Sequence, residues 1–145
     1  MSSPTETPEP NHETAAAHKL TGVFGDKHPN GNPCCEATYV EGIKDGPGRM
    51  FYLSGKLYAT ETWKAGKLDG MTTLFYEAGT VMAELLYKDG ELDGLCKQFF
   101  TTGGVESETS YVAGKKEGPC TVYMEGGGVE RRVMYKNDRV AGALA

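Results

Sequence analysis

The sequence has no segment that opens with charge and runs on into a short apolar stretch, and so shows no secretory leader. It also has no run of roughly 18 apolar residues, and nothing in it reads as a bilayer-spanning helix. These two absences lead to the expectation of a cytoplasmic, soluble chain. Basic residues are in the minority, with 15 Lys and Arg against 20 Asp and Glu in 145 residues and a net charge of −5. Nucleic acid and anionic lipid are held by fields of Lys and Arg, so no nucleic-acid partner is expected and membrane docking is disfavoured. Histidine is scarce: His12, His18 and His28 all precede residue 30. The remainder of the chain therefore offers no imidazole base for a Ser/His/Asp or Cys/His relay.

Cysteine is present but badly placed for disulfides. Cys34 and Cys35 are adjacent, and Cys96 and Cys120 are 24 residues apart. In a meander of hairpins that second pair lies on next-but-one strands, about 9–10 Å apart from a strand spacing of ~4.8 Å. A disulfide needs Cα atoms within about 7 Å, so the thiols are expected to stay reduced. A metal set drawn from His18, His28, Cys34 and Cys35 lacks the closely spaced Cys and His pairs of zinc sites, and no metal or cofactor is expected. A Cys34–His28 pair has nothing in the sequence to activate it. The Gly-Lys steps at Gly55, Gly66 and Gly114 lack the Ser or Thr of a phosphate loop, and Gly46-Pro-Gly48 lacks the rest of a dinucleotide fingerprint. Glu84 and Glu108 recur at one position of a repeat, which suits a solvated strand face better than acid–base chemistry.

What the chain has in excess is glycine, 20 residues, of which 17 follow Thr38. They recur at a fixed step. Tyr39, Trp63, Tyr87, Tyr111 and Tyr135 are 24 residues apart, and three residues beyond them stand Gly42, Gly66, Gly90, Gly114 and then Asp138. Gly46, Gly70, Gly94, Gly118 and Gly142 form a second series. An aromatic pair follows at Phe51-Tyr52, Phe75-Tyr76 and Phe99-Phe100, with Tyr123-Met124 in the last unit. Gly55, Gly79, Gly103 and Gly127 form the third glycine series, and Leu57, Val81, Val105 and Val129 come two residues later. A period held without insertion through several units is the signature of a repeat array.

Each unit holds two strand-length runs separated by a glycine turn, such as Arg49–Ser54 and Lys56–Trp63, and that is the pattern of a β-hairpin. None offers the roughly 10–12 residues at helical spacing that a helix needs. The expected fold is all-β: tandem antiparallel hairpins of 24-residue period in an elongated, curved meander of about ten strands. Residues 1–17, rich in Pro, Ser, Thr and Glu, read as a disordered tail. Residues 18–45 read as a degenerate capping repeat, with Lys27-His28 in place of the aromatic pair and Pro33 in place of the aliphatic. Residues 46–145 read as four regular repeats and a C-terminal edge. Val129–Lys136 is expected to be the edge strand, with Arg131, Arg132 and Lys136 discouraging further pairing.

The unit Gly70-Met-Thr-Thr-Leu-Phe-Tyr-Glu-Ala-Gly-Thr-Val-Met-Ala-Glu-Leu-Leu-Tyr-Lys-Asp-Gly90 resembles the MORN repeat, in the bacterial variant, and the resemblance extends from about 20 to 142. Gln98 and Met124 depart from it where a more apolar or aromatic residue is usual. The resemblance implies a non-catalytic scaffold that binds a protein partner through its sheet face, and in its most concrete version an antitoxin or chaperone for a toxin or effector. It also supplies two alternatives behind that reading, a peripheral membrane module and then an accessory subunit of a separate enzyme. Aromatics anchor protein interfaces, so two rows are candidates for partner binding: Tyr52, Tyr76 and Phe100, or Trp63, Tyr87 and Tyr111. Open sheet edges and an apolar face make a homodimer a further expectation.

Overall fold

Strand-length runs in this chain alternate with turns that demand a left-handed backbone, so the polypeptide reverses direction every few residues. The computed structural model describes residues 11–144. It begins with a short helix, α1 (His12–His18), followed by β1 (Gly22–Lys27), β2 (Pro33–Val40), β3 (Ile43–Phe51) and β4 (Leu57–Lys64). Then come β5 (Lys67–Leu68), β6 (Gly70–Phe75), β7 (Val81–Lys88), β8 (Glu91–Leu92) and β9 (Gly94–Phe99). The chain closes with β10 (Val105–Val112), β11 (Lys115–Tyr123), β12 (Val129–Lys136) and β13 (Arg139–Leu144). All belong to one antiparallel sheet whose strands follow sequence order, with β5 folded back on β4 and β8 on β7. The all-β hairpin array is the fold.

Two kinds of turn build it. After each large aromatic the chain reverses in two residues: Trp63 pairs with Leu68 and Lys64 with Lys67, leaving Ala65 and Gly66 at the tip. Their φ angles are 48° and 84°. Positive φ at both positions defines the mirror-image turn that matches the twist of paired strands, and glycine is favoured there because it has no Cβ to clash. The last copy achieves the same with Asn137 and Asp138, at φ 49° and 66°. The second kind of turn follows the aromatic pair, where Tyr52 N–H donates to Lys56 O and Gly55 N–H to Tyr52 O, both at 2.8 Å. His28 makes the same two bonds with Asn32 and Gly31, so it occupies the position of Tyr52. Opposite each such turn the register slips by one residue, as between Met50↔Ala59 and Phe51↔Leu57. A slip of this kind bends the sheet locally.

Three expectations need correction. The sheet has thirteen strands rather than about ten, because the link between hairpins pairs briefly with the preceding strand and because the chain continues past Lys136. The edge is β13, not β12: Arg132 to Lys136 pair with residues 139–144, so the arginines of β12 do not guard an edge. The tail was expected to run to residue 17, yet residues 12–18 form α1. Asn11 Oδ1 accepts from Thr14 N–H at 2.9 Å, and Lys19, at φ 51°, ends the helix. Seven residues do not sustain a helix alone. Here Ala15, fully buried, seats it on Ala37 and Tyr39, with Phe24 packed alongside. The part of the expected tail at 1–10 lies outside the described residues.

Candidate functional site

Alternation along a strand puts Ala59, Glu61 and Trp63 on one face, and the cross-strand register extends that face row by row. One row reads Asp26, Cys35, Met50, Ala59, Leu74, Ala83, Gln98, Ser107 and Val122 from strand to strand. Beside it Trp63 stands across from Gly46, Tyr87 from Gly70 and Tyr111 from Gly94. Each ring therefore has a partner without a side chain, over which it can lie. A Cβ placed on Gly48, on the same face, would stand 3.3 Å from the Glu36 carbonyl and 3.4 Å from the Trp63 indole Nε1, so a side chain there would crowd the ring.

The Trp63 row is half-buried and held in place at several points. Trp63 Nε1–H donates to Glu61 Oε2 at 2.7 Å, and the Lys44 ammonium lies 4.4 Å from the centre of the indole. Burial raises the Tyr87 hydroxyl above its ordinary range, and it raises that of Tyr111 too, against the partial opposition of Lys116. Both phenols are thus held neutral.

The other row serves as a set of staples between units. Tyr52 Oη donates to the Phe75 carbonyl and Tyr76 Oη to the Phe99 carbonyl, each at 2.6 Å. His28 Nε2 reaches the Phe51 carbonyl at 3.0 Å in the same way. Phe100 occupies this position without a hydroxyl. The sequence presents the two aromatic rows as alternatives, but Tyr76 lines a cleft of about 260 Å³ together with Leu74, Ala83 and Leu85. At that unit Tyr76 therefore shares the face of Ala83 and Leu85, the strand positions that precede Tyr87 on the same side.

At the start of the array the same face is covered. Tyr39 stands at the Trp63 position and is 3% exposed, against Ala15 of α1 and with His12 bonding its hydroxyl at 2.7 Å. Beside it, a cleft of about 280 Å³ runs from His12, Asp26 and Cys35 to Trp63. Burial raises the Cys35 thiol, and the adjacent Cys34 adds to the effect. His12 falls in the expected tail and Asp26 in the expected capping repeat, and only the docking of α1 brings them to Cys35. The set weighed in sequence does not form: His18 is exposed and His28 is committed to Phe51.

The opposite face carries alternating charge. Glu36 pairs with Arg49, and farther along Lys97 stands between Glu84 and Glu108 in register. Lys97 separates the two carboxylates, and Tyr123 Oη donates to Glu108 at 3.1 Å. Cys96 and Cys120 both face Thr109 from either side, so the intervening strand keeps them apart and all four cysteines are free.

A second recurring contact escaped the sequence reading. The carboxylates of Asp45, Asp69 and Asp93 accept from the N–H groups of Ala65, Asp89 and Ala113 at 3.4, 3.3 and 3.1 Å, and Glu117 does the same for Asn137 at 2.8 Å. The acidic register at 45, 69, 93 and 117 was its visible signal.

These features define a tandem β-hairpin repeat protein with one apolar, aromatic-rimmed face. More particularly, residues 44–65, 68–89 and 92–113 match the family described as the MORN repeat variant, so the three central units are similar to that repeat. No curated protein matches the chain. A solved structure described as "Crystal structure of GtfA/B complex bound to UDP and GlcNAc" aligns with 89% of this chain at 15% identity and a TM-score of 0.33. The chain covers 25% of that protein's length, and a likeness at this level carries no functional argument. No helix among the described residues is long and apolar enough to cross a membrane.

Proposed function

We propose that the chain is a non-catalytic repeat scaffold that receives an amphipathic helical segment of a protein partner on the face bearing Trp63, Tyr87 and Tyr111. The observation that carries this reading is α1. At the first unit a short helix with a small-residue contact, Ala15, covers Ala37 and Tyr39, whereas the equivalent rings in the following units are only half-buried. A helix is one of the recurrent ways to fill an apolar groove, and aromatics at its rim are the usual anchors. Neutralising or chaperoning a toxin or effector is a specific form of the same function.

The test is photo-crosslinking in native lysate, with the reactive residue placed at Leu85 on this face or at exposed Leu95 on the other. Adducts to one protein are expected from position 85 alone and are expected to disappear in Trp63→Ala and Tyr87→Ala variants. Equal labelling from both positions overturns the reading. Adducts only to a second copy of this chain, with a dimer by light scattering, make self-association the role of the face. Flotation with liposomes and no protein adduct transfers the role to a lipid surface.

A further inference from the structure

The N-terminal end of the sheet gathers three side chains of different chemistry from three elements. His12 comes from α1, Asp26 from β1 and Cys35 from β2, and their ligating atoms all lie within 4.8 Å of one another. Asp26 and Cys35 are paired in register across adjacent strands, so they stand side by side on one face. His12 closes the group from the helix above. Its Nδ1 is engaged by Tyr39 Oη at 2.7 Å, while its Nε2 is buried and has no hydrogen-bond partner among the described residues. Buried polar atoms are nearly always satisfied, and one that is not asks for a ligand. With Nδ1–H donating to the phenol, Nε2 presents a lone pair, which is the arrangement by which second-shell groups orient metal-binding imidazoles.

We infer that His12, Asp26 and Cys35 bind one divalent transition-metal ion of the zinc type, and that the ion pins α1 to the end of the sheet. Thiolate, imidazole and carboxylate together suit Zn²⁺ or Co²⁺ and discriminate against Mg²⁺ and Ca²⁺, which take oxygen ligands. Bond lengths of about 2.0–2.3 Å place tetrahedral ligands roughly 3.5 Å apart, so side-chain rotations that draw the three atoms together by about an ångström suffice. The three residues also line the cleft that reaches Glu61 and Trp63, so a fourth coordination position opens toward that cleft. A helix too short to persist alone gains a fixed attachment in this way, because metal binding and local folding share one free energy. The inference stands apart from the partner-binding reading and uses none of its half-buried rings as ligands.

The experiment is calorimetric titration of metal-free, reduced full-length protein with Zn²⁺, and with Co²⁺ as the absorbing probe. One ion per chain is expected, with thiolate-to-cobalt charge-transfer absorption and quenching of the single tryptophan, Trp63. Affinity is expected to fall at least tenfold in His12→Gln and in Cys35→Ser, to persist in Cys34→Ser, and to be absent for Mg²⁺. Because a variant can misfold, the wild-type chain is also alkylated with and without Zn²⁺: the ion should protect Cys35 much more than Cys34 or Cys120. Absence of saturable binding overturns the inference. So does binding that survives in both His12→Gln and Cys35→Ser, or alkylation of Cys35 at an unchanged rate.

Discussion

Phe100 stands where Tyr76 and Tyr52 stand one and two units earlier, yet it cannot donate to the next unit's carbonyl. Phe100→Tyr should supply that missing bond to the Tyr123 carbonyl and stabilise the array by about 0.5–1.5 kcal/mol, the net value of one hydrogen bond. Tyr76→Phe should cost about 1 kcal/mol, since it leaves the Phe99 carbonyl without its donor. Urea midpoints at constant slope measure both, and a Phe100→Tyr chain no more stable than wild type would show that the staple depends on more than the hydroxyl. The phenols of Tyr87 and Tyr111 make a different residue-scale prediction. Burial raises both above the usual phenol value of about 10, so the folded state favours the protonated form. Their contribution to stability is therefore fully present below about pH 10 and is lost as pH rises through the higher folded-state values. Denaturation at a series of alkaline pH values should show a decline that is shallower in the Tyr87→Phe, Tyr111→Phe double variant.

At the scale of the element, each two-residue turn is held from the preceding unit by a pair of acceptors. Gly90 N–H donates to the Leu68 carbonyl at 2.8 Å while Asp89 N–H donates to the Asp69 carboxylate. Asp69→Ala should free the second of these, cost up to about 1 kcal/mol, and speed amide exchange at Asp89 while leaving Tyr39 and its helix unchanged. The period of 24 was legible because each of its registers answers to a hard local constraint: a positive φ at Gly66, an aromatic opposite a glycine at Trp63, a strand-length run between. Strand count was less legible, because Lys67–Leu68 and Arg139–Leu144 pair through backbone alone and carry no strong alternation. Helix α1 was hidden for a related reason. Thr14-Ala15-Ala16-Ala17 has no large apolar residue to announce a buried face, and it docks because alanine permits close approach to Ala37. The His12, Asp26 and Cys35 group depends wholly on that docking, since no spacing in the sequence relates a residue of α1 to its place above a strand pair.

In the whole molecule each strand touches chiefly the strands next to it, and among the described residues no large side chain is fully buried. Stability in such an array is close to a sum over units and their junctions, with little held in a shared core. The two ends are not equivalent, however. The N-terminal end is covered by α1, which buries Ala15, Ala37 and Tyr39, whereas among the described residues no strand pairs with the outer side of β13. Removal of residues 115–145 at the Ala113-Gly114 turn should therefore leave a folded shorter sheet, with a urea slope reduced roughly in proportion to the surface removed. Removal of residues 1–20, though shorter, should be the more damaging change, because it strips the cover from Tyr39 and deprives Gly42 N–H of its acceptor at Leu20. Circular dichroism, urea unfolding and light scattering of the two truncated chains decide the matter. The first should remain a folded β-sheet of lower stability, and the second should lose more stability or associate through the uncovered face. Complete unfolding of the C-terminal truncation would mean that the sheet behaves as one cooperative body, and the additive account of its units would then be wrong.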